Sequence, residues 1–396
     1  MKPRYRVRES VFLSLLLVFA NGPSLAQIEE IRVSARKLDE DLQRVPIAIT
    51  AIGDEEVTRK GLVNLDTLLQ QTPSLILDRA FGPADQRIVV RGLAPTRGRQ
   101  NVAILQDGID ISSEAITTGG GSLLINPRLF DLERVEIVTG PQNALYGRSA
   151  FNGAINYITR KPGDEFYARV GGQVGNYDNQ EVNFQVSGPL TEGLAAGLTG
   201  MFWNLDGFYD NEFTGGTLGG EEGVNLAGTV VIEPTETLSL TARVEYLDDE
   251  FGPTPFLNMP FNAVFDVPQE ALDQGLATSP TLPGVDGEAI SVGDKLPSMT
   301  EESRTCDDPT DASSCDDFQG TEREITRATL TIGWDLGGAQ FTSLTHVADA
   351  ETFVSIGGDD TSAAESLVVQ EVNDLRETDL VSQELRLASS NSGPFT

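Results

Sequence analysis

From Glu165 onward, apolar and polar residues alternate over stretches too long for the strands of an ordinary soluble sandwich. Leu238, Leu240, Ala242, Val244 and Tyr246 stand against Thr237, Ser239, Thr241, Arg243 and Glu245. Ala328, Leu330, Ile332, Trp334 and Leu336 stand in the same way against Arg327, Thr329, Thr331, Gly333 and Asp335. Period two places each set on one face of a strand. Long strands with one apolar face and one wholly polar face suit a barrel wall, with lipid outside and a polar lumen inside. A soluble sandwich uses shorter strands and more regular turn spacing. The links agree with the barrel. Short ones (188–191, 233–236, 335–339) alternate with long ones (175–180, 206–224, 248–321, 348–377), which predicts tight periplasmic turns and long extracellular loops.

The rest of the composition narrows the class further. Residues 1–26 read as a secretory signal: Lys2, Arg4, Arg6 and Arg8 precede the apolar Val11–Ala20 run, and Ser24-Leu25-Ala26 is a small-residue cleavage site. The apolar run is too short to span a bilayer, and no later stretch reaches the ~18 apolar residues a helix would need. Any membrane-spanning part is therefore β. A formal net charge of -32 opposes binding to nucleic acid. The single histidine, His346, excludes a histidine-based zinc site and most nucleophilic triads, and Gly119-Gly120-Gly121 lacks the Lys-Ser/Thr of a phosphate loop. No enzyme, cofactor or metal is expected. Cys306 and Cys315 are the only cysteines, and an even count in an exported chain suggests one local disulfide, with two free thiols as the alternative. Asp pairs follow both cysteines; without a D-x-D-x-D-G loop they read as a solvated acidic loop rather than a calcium site.

The N-terminal third has a different texture. Asp131–Pro162 reads as strand, Gly140-Pro141 turn, compact Gly-punctuated segment and second strand, stopping at Arg160-Lys161-Pro162. Before it come a short strand over Val45–Ile52, a helix from Asp54, capped by it, to Lys60, and a helix from Asn64 or Asp66 with Leu65, Leu68 and Leu69 on one face. Two strands follow, Arg87–Gly92 and Val102–Ile109, the second turning at Asp107-Gly108. Ahead of all these lies Ile28-Glu29-Glu30-Ile31-Arg32-Val33-Ser34-Ala35, extended in character, with nothing nearby to pack on. Such a segment suits strand addition to another protein's sheet edge.

In order, V-P-I-A-I-T, L-L-Q-Q-T-P-S-L, R-I-V-V-R-G-L, L-Q-D-G-I and the Asp131–Pro162 stretch resemble the plug domain of TonB-dependent outer-membrane receptors. Two positions depart from the common pattern: Thr139, where members usually carry Arg, and Asn143, where they carry Gly. The resemblance implies a plug seated inside a barrel, with Ile28–Ala35 as the TonB box that binds TonB, itself coupled to ExbB–ExbD. It further implies that apical loops carrying Arg97, Arg99, Gly119, Gly120 and Gly121 face the ligand, a ferric siderophore being the commonest cargo. The resulting layout is a signal over 1–26, a TonB-box-like segment over 27–36, an α+β plug over 37–162, and transmembrane β-barrel strands over 163–396 with a long extracellular loop at 248–321. Localisation follows as the bacterial outer membrane, in contact with its lipid, with the plug facing the periplasm.

About eight wall strands are legible, and eight cannot enclose a plug of this size; plugged transporters have about 22 strands. Two edges left open in lipid are also not tolerated. The expectation is an incomplete receptor, or a partner chain that completes the barrel. Competing functions are a passive pore, an adhesin platform, or a truncated non-functional fragment.

Overall fold

The computed structural model describes residues 32–33, 37, 40–41, 47–62, 64–72, 74–79, 86–95, 100–111, 128–147, 149–210, 217–252, 263–266, 281–282, 288–290, 304–306, 315–317, 320–358 and 370–389. In the N-terminal unit, β1 (Arg32–Val33) pairs with β2 (Glu40–Asp41). β3 (Ile49–Gly53) leads straight into α1 (Asp54–Lys60). Three acidic residues in the first turn of α1 and Arg59 and Lys60 in its last complement the helix dipole, and Gly61 ends it at φ 63°. Gly53 holds the N-cap position with no side-chain bond, so Asp54 is not the cap that the sequence suggests. α2 (Leu65–Leu69) is capped by Asn64: its side chain accepts from the Thr67 backbone N–H while the Thr67 hydroxyl receives the Asn64 N–H.

β4 (Leu75–Arg79) and β5 (Gln86–Val90) form a hairpin. β6 (Val102–Gln106), β7 (Ile109–Asp110), β8 (Leu132–Thr139) and β9 (Gly153–Thr159) join β3 in a sheet of order β3-β8-β9-β6-β7, in which only β6 and β9 run parallel. The β6–β7 turn has Asp107 at φ 51° and Gly108 at φ 83°, the two positive φ values of a tight primed turn. Between β8 and β9, read from sequence only as a compact turn, lies one helical turn, α3 (Asn143–Tyr146). Leu65, Leu68, Ile88, Ile104, Val135, Ile137 and Ile155 are buried in the core where α2 and both sheets meet.

The second unit is one long meander: β10 (Tyr167–Val174), β11 (Gln180–Thr191), β12 (Leu194–Leu205), β15 (Glu221–Thr235), β16 (Leu238–Phe251), β22 (Thr321–Asp335), β23 (Ala339–Gly358) and β24 (Gln370–Ser389). Each pairs antiparallel with the next, and β10 and β24 remain as edges of an eight-stranded sheet. Shorter pairs occupy the long links: β13 (Tyr209–Asp210) with β14 (Thr217–Leu218), β17 (Ala263–Asp266) with β18 (Thr281–Leu282) and β19 (Glu288–Ile290), and β20 (Arg304–Cys306) with β21 (Cys315–Asp317).

The link boundaries read from sequence are corrected here. β16 continues past Asp248 to Phe251, and the link up to Thr321 contains short strands. The link read as 348–377 shrinks to 359–369, because β23 and β24 each run for 20 residues. About 9–11 residues suffice to cross a bilayer, so strands of 20 residues are longer than a crossing needs, and alternation is not required along their whole length. Tight turns all fall at one end of the sheet and long links at the other, as a simple meander dictates.

The outer face is apolar and bare. Val170 is 80% exposed, Val244 56% and Val381 76%. The inner face is polar and covered: Thr199, Arg243, Glu245, Asp249 and Arg323 are all buried. This inversion of the soluble pattern fits a wall with lipid outside. The eight strands therefore agree with the sequence reading in number, facing and openness.

Candidate functional site between the N-terminal unit and the wall

Polar contacts fasten the N-terminal unit to the inner face at several separate points. The first is the start of α1. The Asp54 carboxylate accepts from Arg160 Nη2 at 3.1 Å and from Arg169 Nη1 at 2.9 and 3.1 Å, and Arg169 Nη2 donates to Thr58 Oγ1 at 2.6 Å. Arg169 lies on β10, so the first turn of the helix is tied to the first wall strand. Asp54, displaced from the cap, acts as an anchor.

The second point is Asp131, just ahead of β8, at φ 57°. Its side chain is 1% exposed and draws donors from three wall strands. Gln185 Nε2 donates to Oδ1 at 2.6 Å, and Thr199 Oγ1 and Arg243 Nη1 donate to Oδ2 at 3.1 and 2.7 Å. Burial pushes the Asp131 carboxyl up from its ordinary value, while the charge and hydrogen bond of Arg243 pull it back. Beside it, Phe130 packs against an apolar cluster of Met201, Trp203, Leu247, Ile325 and Ala350 on the inner face.

The third point is the β6–β7 turn. Gln106 Nε2 donates to Glu245 Oε2 at 2.8 Å, and Glu245 Oε1 receives Asn225 Nδ2 at 3.2 Å and Arg327 Nη2 at 3.0 Å. The turn itself is braced: Asp107 accepts the Thr159 N–H at 3.0 Å and its hydroxyl at 2.8 Å, and Asn156 Oδ1 accepts the Gly108 N–H at 3.0 Å. Burial pushes the Asp107 carboxyl up, opposed by these two Thr159 bonds.

Arg128 and Lys37 make further ties to the wall among the described residues. Arg128 pairs with Glu221 at 2.5 Å and lies over the Trp203 ring at 5.0 Å. Lys37 pairs with Glu384 on β24. Buried pairs of this kind gain little net stability, because desolvation offsets most of the attraction, yet removing one partner is costly. An interface built this way fixes position chiefly through polar ties, with apolar contact at Phe130.

Of the residues singled out from sequence, Arg32 and Val33 alone of the Ile28–Ala35 segment are described. They pair with Asp41 and Glu40, and Val33 is 1% exposed. The expectation of nothing nearby to pack on is thus overturned for these two residues, since β1 pairs with β2 and Val33 is buried. Arg97, Arg99, Gly119, Gly120 and Gly121 lie outside the described residues. Cys306 and Cys315 are direct partners in the β20–β21 register. His346 sits on β23 opposite Thr329, buried on the inner face. Sequence reading missed every tie between the two units. Alternation marks Arg169, Arg243 and Glu245 as inward, but nothing in the sequence says which plug residue each one meets.

Comparison with known proteins adds to this geometry. Residues 41–154 match the family model of the TonB-dependent Receptor Plug Domain. Over 197 residues the chain is 27% identical to the pesticin receptor of Yersinia pestis, a match covering 48% of this chain and 28% of that protein. Over 217 residues it is 27% identical to the vitamin B12 transporter BtuB of Vibrio vulnificus strain CMCP6, covering 54% of this chain and 34% of that protein. The crystal structure of the ferric yersiniabactin uptake receptor FyuA from Yersinia pestis superposes with a TM-score of 0.62 at 20% identity, over 88% of this chain and 46% of that one. The chain spans about a third of the length of these two curated relatives.

Proposed function

We propose that this chain, which carries a TonB-dependent receptor plug domain on eight strands of an outer-membrane barrel wall, serves active uptake of a scarce ligand, a ferric siderophore first among them. The observation that carries the reading is the plug–wall interface. Asp54, Gln106, Asp131 and Arg128 hold the plug through ion pairs and hydrogen bonds, which can be exchanged for water one at a time. An apolar interface of similar extent would have to be broken all at once. On this reading ligand binds on the side of the long links, and TonB, with ExbB–ExbD, engages Ile28–Ala35 by strand addition. For that, Arg32 and Val33 must first leave β2, so engagement and loosening of the plug base are one event.

Deleting Ile28–Ala35 from the full-length protein should abolish energised uptake while leaving ligand binding at the cell surface unchanged. Uptake that persists in the deletion would sink the coupling. A steady conductance through the protein without any energised partner would instead favour a passive pore.

A further inference from the structure

At the tight-turn end, plug and wall part to leave a cavity of ≈ 320 Å³, within the usual range of small-molecule sites. Lys37, Arg134 and Lys161 of the plug and Arg243 and Arg386 of the wall line it, and Asp107 is the one carboxylate among its described lining residues. Threonine hydroxyls from four consecutive wall strands, β15, β16, β22 and β23, complete the lining. In a chain of net charge -32 this is a local reversal of sign.

The pairing of these cations decides what the reversal means. Lys37 is neutralised by Glu384, Arg134 by Glu133 and Glu136, and Arg243 by Asp131 and Glu245. Among the described residues Lys161 and Arg386 have no carboxylate at ion-pair distance. Arg386 Nη2 reaches only the Thr342 hydroxyl, at 3.4 Å. Asp107 feels the Lys161 charge through space but makes no ion pair with it, since its oxygens accept the Thr159 N–H and hydroxyl. Two cations without an ion-pair partner among the described residues, one from each side of a hydroxyl-lined gap, can make charge-assisted hydrogen bonds to an oxyanion.

We propose that this cavity binds a small soluble polyanion presenting carboxylate or phosphate oxygens, held between Lys161 of the plug and Arg386 of the wall. Such a site lies opposite the long links and needs no energised partner to fill. It goes beyond the uptake reading, and its failure leaves that reading standing.

The test is titration of the full-length receptor containing this chain, folded in detergent, with citrate and with inorganic phosphate, followed by calorimetry. Saturable binding is expected, weakened at least about tenfold when Lys161→Gln is combined with Arg386→Gln, and unchanged by Lys60→Gln. Lys60 is a fair control because it pairs with Glu56 on α1, away from the cavity. No saturable binding, equal binding by the double variant, or equal weakening by Lys60→Gln would overturn the proposal. Should the double variant fail to fold, the unaltered chain still decides. Citrate should slow acetylation of Lys161, which is exposed, relative to Lys60, with half-effect at the concentration that half-saturates binding. Identical rates with and without citrate overturn it. Persistence of uptake after deletion of Ile28–Ala35 would overturn the uptake reading while leaving this binding intact.

Discussion

Arg243 of β16 ties the plug residue Asp131 to a buried polar network on the inner face of the wall. Its guanidinium meets Asp131 at 2.7 Å, Thr229 at 3.1 Å and Glu245 at 3.5 Å, with 7% of the side chain exposed. Replacing it by Met keeps the volume and leaves two buried carboxylates short of a counter-charge. A loss of about 3–5 kcal/mol is expected, read as a lowered midpoint in denaturant unfolding; Arg243→Lys should recover part of it. A midpoint equal to that of the parent would show that the pair contributes nothing. Gly153 is constrained by space instead of charge: a Cβ there would lie 2.3 Å from the Val138 carbonyl oxygen, across the β8–β9 pair. Gly153→Ala should cost about 1–3 kcal/mol through forced separation of the two strands. Gly163→Ala, with nothing within 4 Å of the new methyl, is the control that should change little.

At the scale of elements, the helices and strands of the plug follow local rules closely. α2 begins at Asn64 because the Asn64–Thr67 exchange satisfies two backbone donors, and α1 stops at Gly61 because only glycine takes that conformation cheaply. The β20–β21 pair has a sharper consequence. Direct cross-strand partners have Cα atoms about 4.5–5.5 Å apart, inside the span that a disulfide bridges. Cys306 stands opposite Cys315 in this register, and we propose that the two form the bridge suggested by the cysteine count. Intact mass should rise by two hydrogens on reduction, with two alkyl caps added only after reduction, and Cys306→Ser should cost roughly 2.5–3 kcal/mol on the chain-entropy estimate. Thiols that alkylate without reductant in the exported protein would refute it.

For the whole molecule, the decisive fact is that β10 and β24 do not meet. Unpaired edges cannot persist in hydrocarbon, where no water satisfies their backbone groups. These 396 residues alone should therefore give no band that resists sodium dodecyl sulfate until heated, the behaviour expected of a closed barrel; a heat-modifiable band from this chain would show that the sheet closes by itself. The sequence by itself determined the architecture. Period two along β16 and β22 assigned lipid and lumen faces residue by residue, because each position is decided by its own polarity. Gly-Pro, Asp-Gly and Asn-capped segments ordered the plug for the same local reason. It could not place the strand ends, since beyond the bilayer neither face must be apolar, and β23 ran on through Asp349 and Glu351. Only the tertiary structure paired Asp131 with Arg243, Gln106 with Glu245 and Asp54 with Arg169. Those partners lie roughly a hundred residues apart, and which charge meets which depends on how the plug sits against the wall, a relation that no local pattern encodes.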